Sequence, residues 1–228
     1  MGTILVLIAY LVYIAFWSRL LFHVFTWYRA VKRHSPISDD NQKTSFSVLA
    51  ASALDIIFFR RLFKTNKLLW LASWTFHVCF SLVLLRHSWY FLKPVPDLII
   101  FIQPVGIVAG YILPFSLLLI LILRVSKSKD RYTSIYNYSL TGLLFVISVT
   151  GLLMRNFFHP DLIDVMDFIM GILTFRPEAL PDSFLFVIHF SLFLLLVPYI
   201  PLHLFTAPLV TMEAQRREQG LDMVLHEK

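Results

Sequence analysis

Residues Leu68 to Leu92, LLWLASWTFHVCFSLVLLRHSWYFL, form an apolar run long enough to cross a bilayer, and they carry two histidines. The ~20 residues needed to span a membrane as a helix are all present. His77 and His87 are ten residues apart, which at about 1.5 Å per residue puts them about 15 Å apart in depth. Imidazole in hydrocarbon is costly unless it has a partner, so two histidines at two depths call for two partners.

Four more runs have the same character: Thr3 to Trp27, Leu98 to Leu123, Ile135 to Met154 and Phe184 to Leu209. With 58% hydrophobic residues, 15% charged and a mean hydropathy of +0.73, an ordinary soluble domain is excluded. The expected fold is all-α, a single membrane domain over residues 1–228 built as a five-helix bundle. The first run has no basic n-region and no small-residue cleavage site, and is read as a span rather than a signal peptide.

Basic residues set the orientation. Fifteen of the twenty Lys and Arg fall after the first span, after the third, or in the tail. This places the N-terminus outside and the C-terminus in the cytoplasm of a cell that carries the chain in its cytoplasmic membrane. The net charge of +6 follows from that asymmetry and gives no reason to invoke nucleic acid. Between the first two spans, Phe46 to Phe63 alternates apolar and basic character and is read as an amphipathic helix on the cytoplasmic surface. Arg19 and His23 are read as snorkelling to the interface beside Trp17, Trp27 and Tyr28.

A lone cysteine, Cys79, excludes an intrachain disulfide, a Cys-ligated iron–sulfur cluster, a multi-Cys zinc site and covalent c-type haem. Non-covalent haem is the redox group that the residues still permit. The fifth span carries His189 near its start and His203 toward its end, fourteen residues on. Fourteen residues return to nearly the same helix face about 21 Å deeper. Because the second and fifth spans run in opposite directions, His87 pairs with His189 near the outside and His77 with His203 near the inside. Each pair is a bis-histidine site for a b-type haem iron, and each ligand is expected to donate its other N–H to an acceptor such as a backbone carbonyl. Pro198 and Pro201 would kink the fifth span. Arg60, Arg61, Arg86 and Arg155 are candidates for contacts with haem propionates or a quinone.

Beyond the fourth span, residues 156–182 carry Asp161, Asp164, Asp167, Glu178 and Asp182 between apolar turns. They are read as a short helix over the outer haem, a lid or partner surface, with Asp182 or Ser183 placed to cap the fifth span. His159 and Asp161 are read as loop residues, although an imidazole there could exchange a quinol proton. His34 and His226 have no partner visible in the sequence, and the polar tail is read as a docking face.

The order of FHVCFSLVLLRH, the preceding DIIFFRRLF, HSWYFLKPVP, QPVGIVAGYILP, TGLLMRNFF, LTFRP and the final His-to-Pro segment resembles the respiratory nitrate reductase gamma subunit family of dihaem cytochromes b. DIIFFRRLF and TGLLMR are nearer the branch that anchors heterodisulfide-reductase-like iron–sulfur proteins, which includes the cytochrome of the sulfite-reductase-linked membrane complex. The resemblance implies two b haems, exchange of electrons with menaquinone or another quinone, a cytoplasmic iron–sulfur partner, and further membrane or periplasmic subunits. One departure stands out. The family usually spaces its last two histidines about one turn wider, near Thr206 or Ala207 here, and His203 lies a turn earlier on the same face. One haem or two therefore stays open. The competing readings are a non-redox anchor or small transporter with hydrogen-bonded histidines, and a hydrogenase-type cytochrome b.

Overall fold

A computed structural model of the chain describes residues 2–33, 53–92, 94–126 and 135–203. All regular structure among them is helical: α1 (Gly2–Arg33), α2 (Arg60–Thr65), α3 (Lys67–His87), α4 (Asp97–Ser126), α5 (Ile135–Asn156), α6 (Leu162–Leu173) and α7 (Phe184–Leu196), with 3-10 turns at Ser88–Tyr90 and Val197–Tyr199. Five segments are long and apolar enough to cross a membrane: Gly2–Arg29, Lys67–Tyr90, Asp97–Ser126, Ile135–Asn156 and Phe184–His203. They fall on the five runs read in the sequence, the fifth as far as the described residues reach. In lipid only a helix satisfies its own backbone polar groups, which is why each run takes that form. Their exposed Leu, Ile, Phe and Val side chains suit a hydrocarbon surround. The chain divides into two compact units, Met1–Tyr13 with Leu68–Val197, and Ile14–Lys67 with Pro198–Lys228.

In the first unit, α3, α4 and α5 pack through Cys79, Ala109, Leu113 and Leu117, with Phe76, Phe80, Val83, Leu144 and Phe145 around them. Apolar burial does little to join helices within lipid, so small residues that allow close approach matter more. Gly106 shows this: a Cβ there would lie 2.9 Å from Arg86 Cβ and 3.3 Å from Leu82 O. At the opposite end of α4, Arg124 donates to Thr141 Oγ1 (2.9 Å) and Asn137 O (3.3 Å), and Tyr138 Oη donates to Arg124 O (3.1 Å). Three hydrogen bonds thus hold α4 to α5 across the residues that join them.

The segment after α5 folds back as a helix, as expected. Asp161 caps α6 by accepting from Ile163 N at 2.8 Å, and Asp164 in the first turn complements the helix dipole. Burial goes further than the sequence suggested. Phe168 has no exposed surface, and α6 shares a core with Leu5, Val6 and Ala9 of α1 and with Phe186, Phe190 and Leu194 of α7. The helix ends in a Schellman turn: Arg176 N donates to Gly171 O (2.8 Å) and Phe175 N to Ile172 O (3.4 Å), with Phe175 left-handed at φ 57°. The Phe175 ring stacks on Tyr10, centroids 5.3 Å apart, and Tyr10 Oη donates to Ile172 O at 3.2 Å. These two contacts fasten the first turns of α1 to the end of α6. Ser183 caps α7, accepting from Phe186 N at 3.3 Å.

The second unit corrects one expectation. Residues 53–58 are helical, but Phe59 is left-handed (φ 48°, ψ 43°), and α2 starts afresh at Arg60. The described part of the expected Phe46 to Phe63 helix is therefore two helices with a break. Arg61 Nε donates to the buried Asp55 Oδ2 at 3.1 Å. On an unbroken helix, residues six apart are separated by about 9 Å of rise and face different sides. The turn at Phe59 brings the two charges together, and the pair compensates for the strain of a non-glycine residue at positive φ. In the fifth span the proline kink takes the form of the 3-10 turn Val197–Tyr199. Pro201 has no N–H to give the carbonyl three residues back. Arg19 Nη1 supplies that donor, reaching Pro198 O at 3.1 Å, so Arg19 bonds to the backbone rather than simply snorkelling. His34, residues 46–52, the polar tail and His226 lie outside the described residues.

Candidate functional site

His87 is the last residue of α3, and its Nδ1 lies 2.7 Å from Val83 O, four residues earlier. A carbonyl only accepts, so Nδ1 carries the proton and the neutral ring keeps its lone pair on Nε2. His77 forms the same kind of bond, Nδ1 to Ser73 O at 2.7 Å, with Phe76 edge-on at 4.6 Å. His189 sits in the second turn of α7. Its Nδ1 lies 2.9 Å from Thr150 Oγ1 on α5, and that hydroxyl is 2.9 Å from Ile147 O. The threonine proton goes to the carbonyl, so Thr150 accepts from the histidine, and again Nε2 is left with the lone pair. Next to it, Gly151 has no Cβ because one would come within 3.3 Å of His189 Cε1.

The fold brings His87 and His189 within electrostatic reach of each other. Around them, α6 packs on the Ser88–Tyr90 turn that follows His87 and on the α7 face that bears Phe186 and Phe190. The Tyr90 ring lies 5.9 Å from that of His87. His77 belongs to the first unit, and His203, exposed at the end of the described fifth span, to the second.

The arginines separate into two kinds. Arg86, beside His87, is partly buried, and its Nε has no hydrogen-bond partner. Its surroundings include Arg155 and the Tyr90 hydroxyl within electrostatic range, and Gln103 Nε2 donates to its carbonyl at 3.5 Å. An orphaned guanidinium N–H near a second cation suits an anionic group such as a carboxylate. Arg155 is exposed at the end of α5. In the second unit Arg61 is engaged by Asp55, and Arg60 is exposed.

These residues fit a b-type haem at the His87 end. Two imidazoles from antiparallel helices have the proton fixed on Nδ1 and the lone pair on Nε2, and an unsatisfied cation for a propionate stands next to one of them. No group of three or more His, Cys, Asp or Glu that could hold a metal ion occurs among the described residues. Sequence reasoning missed Thr150 and Gly151. Both stand in TGLLMRNFF, at the depth of His189: Thr150 is six residues from the end of α5 and His189 five from the start of α7, but depth alone does not tell which threonine of a helix serves a neighbour.

The five apolar helices define an integral, multi-pass membrane protein. Among curated proteins, the chain is similar to the Hdr-like menaquinol oxidoreductase cytochrome b-like subunits of Archaeoglobus fulgidus and Archaeoglobus profundus. Each is 28% identical over 71% of this chain and 57% of the relative. The match supports the resemblance on the branch associated with heterodisulfide-reductase-like proteins. This chain spans a little over half the length of those relatives. No family model matches it, and no solved structure does.

Proposed function

We propose that the chain is the membrane electron-transfer subunit of a quinol-linked oxidoreductase, holding a b-type haem between His87 and His189. The observation that carries this reading is an oxygen placed to accept from each Nδ1: Val83 O lies 2.7 Å from that of His87 and Thr150 Oγ1 2.9 Å from that of His189. Ligand nitrogens are thereby presented without any rearrangement. Haem would supply a one-electron carrier buried in the membrane. The chain's own residues orient the two rings, with Gly151 leaving room for one of them, while α6 covers the α7 core against water and Arg86 meets negative charge at the outer edge.

The relatives' names, Hdr-like menaquinol oxidoreductase cytochrome b-like subunit, support menaquinol as the substrate and an Hdr-like partner; that the partner is an iron–sulfur protein on the cytoplasmic side, and that quinone could instead be the acceptor, comes from the resemblance in the sequence. Arg60 and Arg61 stay in the proposal as inner propionate contacts, Arg61 in competition with Asp55. A second haem on His77 and His203 rests on helix spacing in the sequence. The test is a reduced-minus-oxidised visible spectrum of the purified chain with haem counted per polypeptide. b-type bands that lose one haem in His87→Ala and again in His189→Ala are expected. A haem-free wild-type preparation would overturn the proposal, and the wild-type count decides between one haem and two.

A further inference from the structure

A cavity of about 550 Å³ opens between the end of α5 and the start of α7, within the ~300–1,000 Å³ typical of small-molecule sites. Leu153, Leu185 and Ile188 line its apolar side, and His159, Asp161 and Asp182 its polar side. Asp161 is already committed as the α6 cap, which leaves His159 and Asp182 to face an occupant. Leu185 precedes His189 by four residues, so it lies on the same face of α7 about 6 Å farther along the axis. On the other wall, Leu153 lies two residues beyond Gly151, whose missing Cβ gives the His189 ring its space. An occupant of the cavity therefore sits about one helical turn from the imidazole.

We infer that this cavity is the quinol site, taking a planar hydroquinone ring with His159 and Asp182 as its proton acceptors. The inference rests on the haem proposed above, which takes the electrons. An apolar wall beside a short polar edge suits a flat ring that carries hydroxyls. On oxidation the quinol loses two O–H protons and two electrons and becomes the quinone. One proton passes to the imidazole of His159 and one to the carboxylate of Asp182, both exposed and so able to release it to water. The two electrons would leave one at a time toward the haem proposed at His189, the first passing on to the iron–sulfur partner proposed above before the second follows. Imidazole suits the task because it exchanges protons readily near neutral pH.

The experiment uses the full chain in nanodiscs and an azido-naphthoquinone photoprobe. Label is expected on 153–161 and 182–188, competed by excess unlabelled naphthoquinone. Leu185→Trp and, separately, Leu153→Trp fill the cavity and lower labelling about tenfold, with the b-type spectrum retained as the check on folding. The pair His159→Ala and Asp182→Asn keeps the label but slows haem reduction by quinol about a hundredfold. Label appearing instead beside Arg86 and Gln103 overturns the inference, as does displacement by phospholipid but not by quinone, or wild-type labelling in both tryptophan variants. Loss of the haem reading shows separately, because photolabelling needs no haem.

Discussion

Thr150 uses one hydroxyl twice, donating to Ile147 O and accepting from Nδ1 of His189. A hydrogen bond at that nitrogen makes the ring more electron-donating at the other. Thr150→Val keeps the shape and removes the acceptor. It is expected to raise the midpoint potential of the haem proposed at His189 and to lower haem retention about tenfold, while Thr150→Ser restores both. A redox titration followed at the α band checks this, and an unmoved midpoint would show that the hydroxyl has no influence on the ligand. The histidines themselves were legible because imidazole in an apolar run is conspicuous. Thr150 was not, since a threonine in a membrane helix usually bonds its own backbone, and nothing in one sequence marks the one that also serves a neighbour.

At the scale of elements, α6 is the helix whose existence could be read but whose burial could not. Its caps are written locally in Asp161 and in the turn-forming TFRP, whereas the partners of Phe168 come from α1 and α7, far away in sequence. Gly171 limits how the helix ends: a Cβ there would lie 2.7 Å from Arg176 O and 2.8 Å from Glu178 N, both backbone atoms. Gly171→Ala is therefore expected to destabilise the α6 end by about 1–3 kcal/mol. A lowered thermal midpoint and faster proteolysis between α6 and α7 would register this; wild-type values for both would mean that the turn yields without cost. The break at Phe59 was hidden for a related reason. Apolar and basic periodicity runs straight through DIIFFRRLF, and only the reach of Arg61 back to Asp55 shows that the helix stops.

Across the whole molecule, the five spans could be read because each is a property of its own residues, length and hydropathy. The direction in which they cross rests on the basic residues, and it is open to test because the single cysteine, Cys79, is buried and leaves the background quiet. Asp164→Cys and Arg60→Cys, both at exposed positions, are expected to react with a membrane-impermeant maleimide from opposite faces, Asp164→Cys from outside intact cells and Arg60→Cys only after they are opened. The reverse pattern would invert the bundle. The core that joins Leu5, Val6 and Ala9 to Phe168, Phe186 and Phe190 also bears on biogenesis. Leu5, Val6 and Ala9 have no finished seat until α7 has left the ribosome and entered the bilayer. His189 arrives on that same helix, so the haem proposed there can enter only after α7 does, and chains cut short before Phe184 should emerge both loosely packed and colourless.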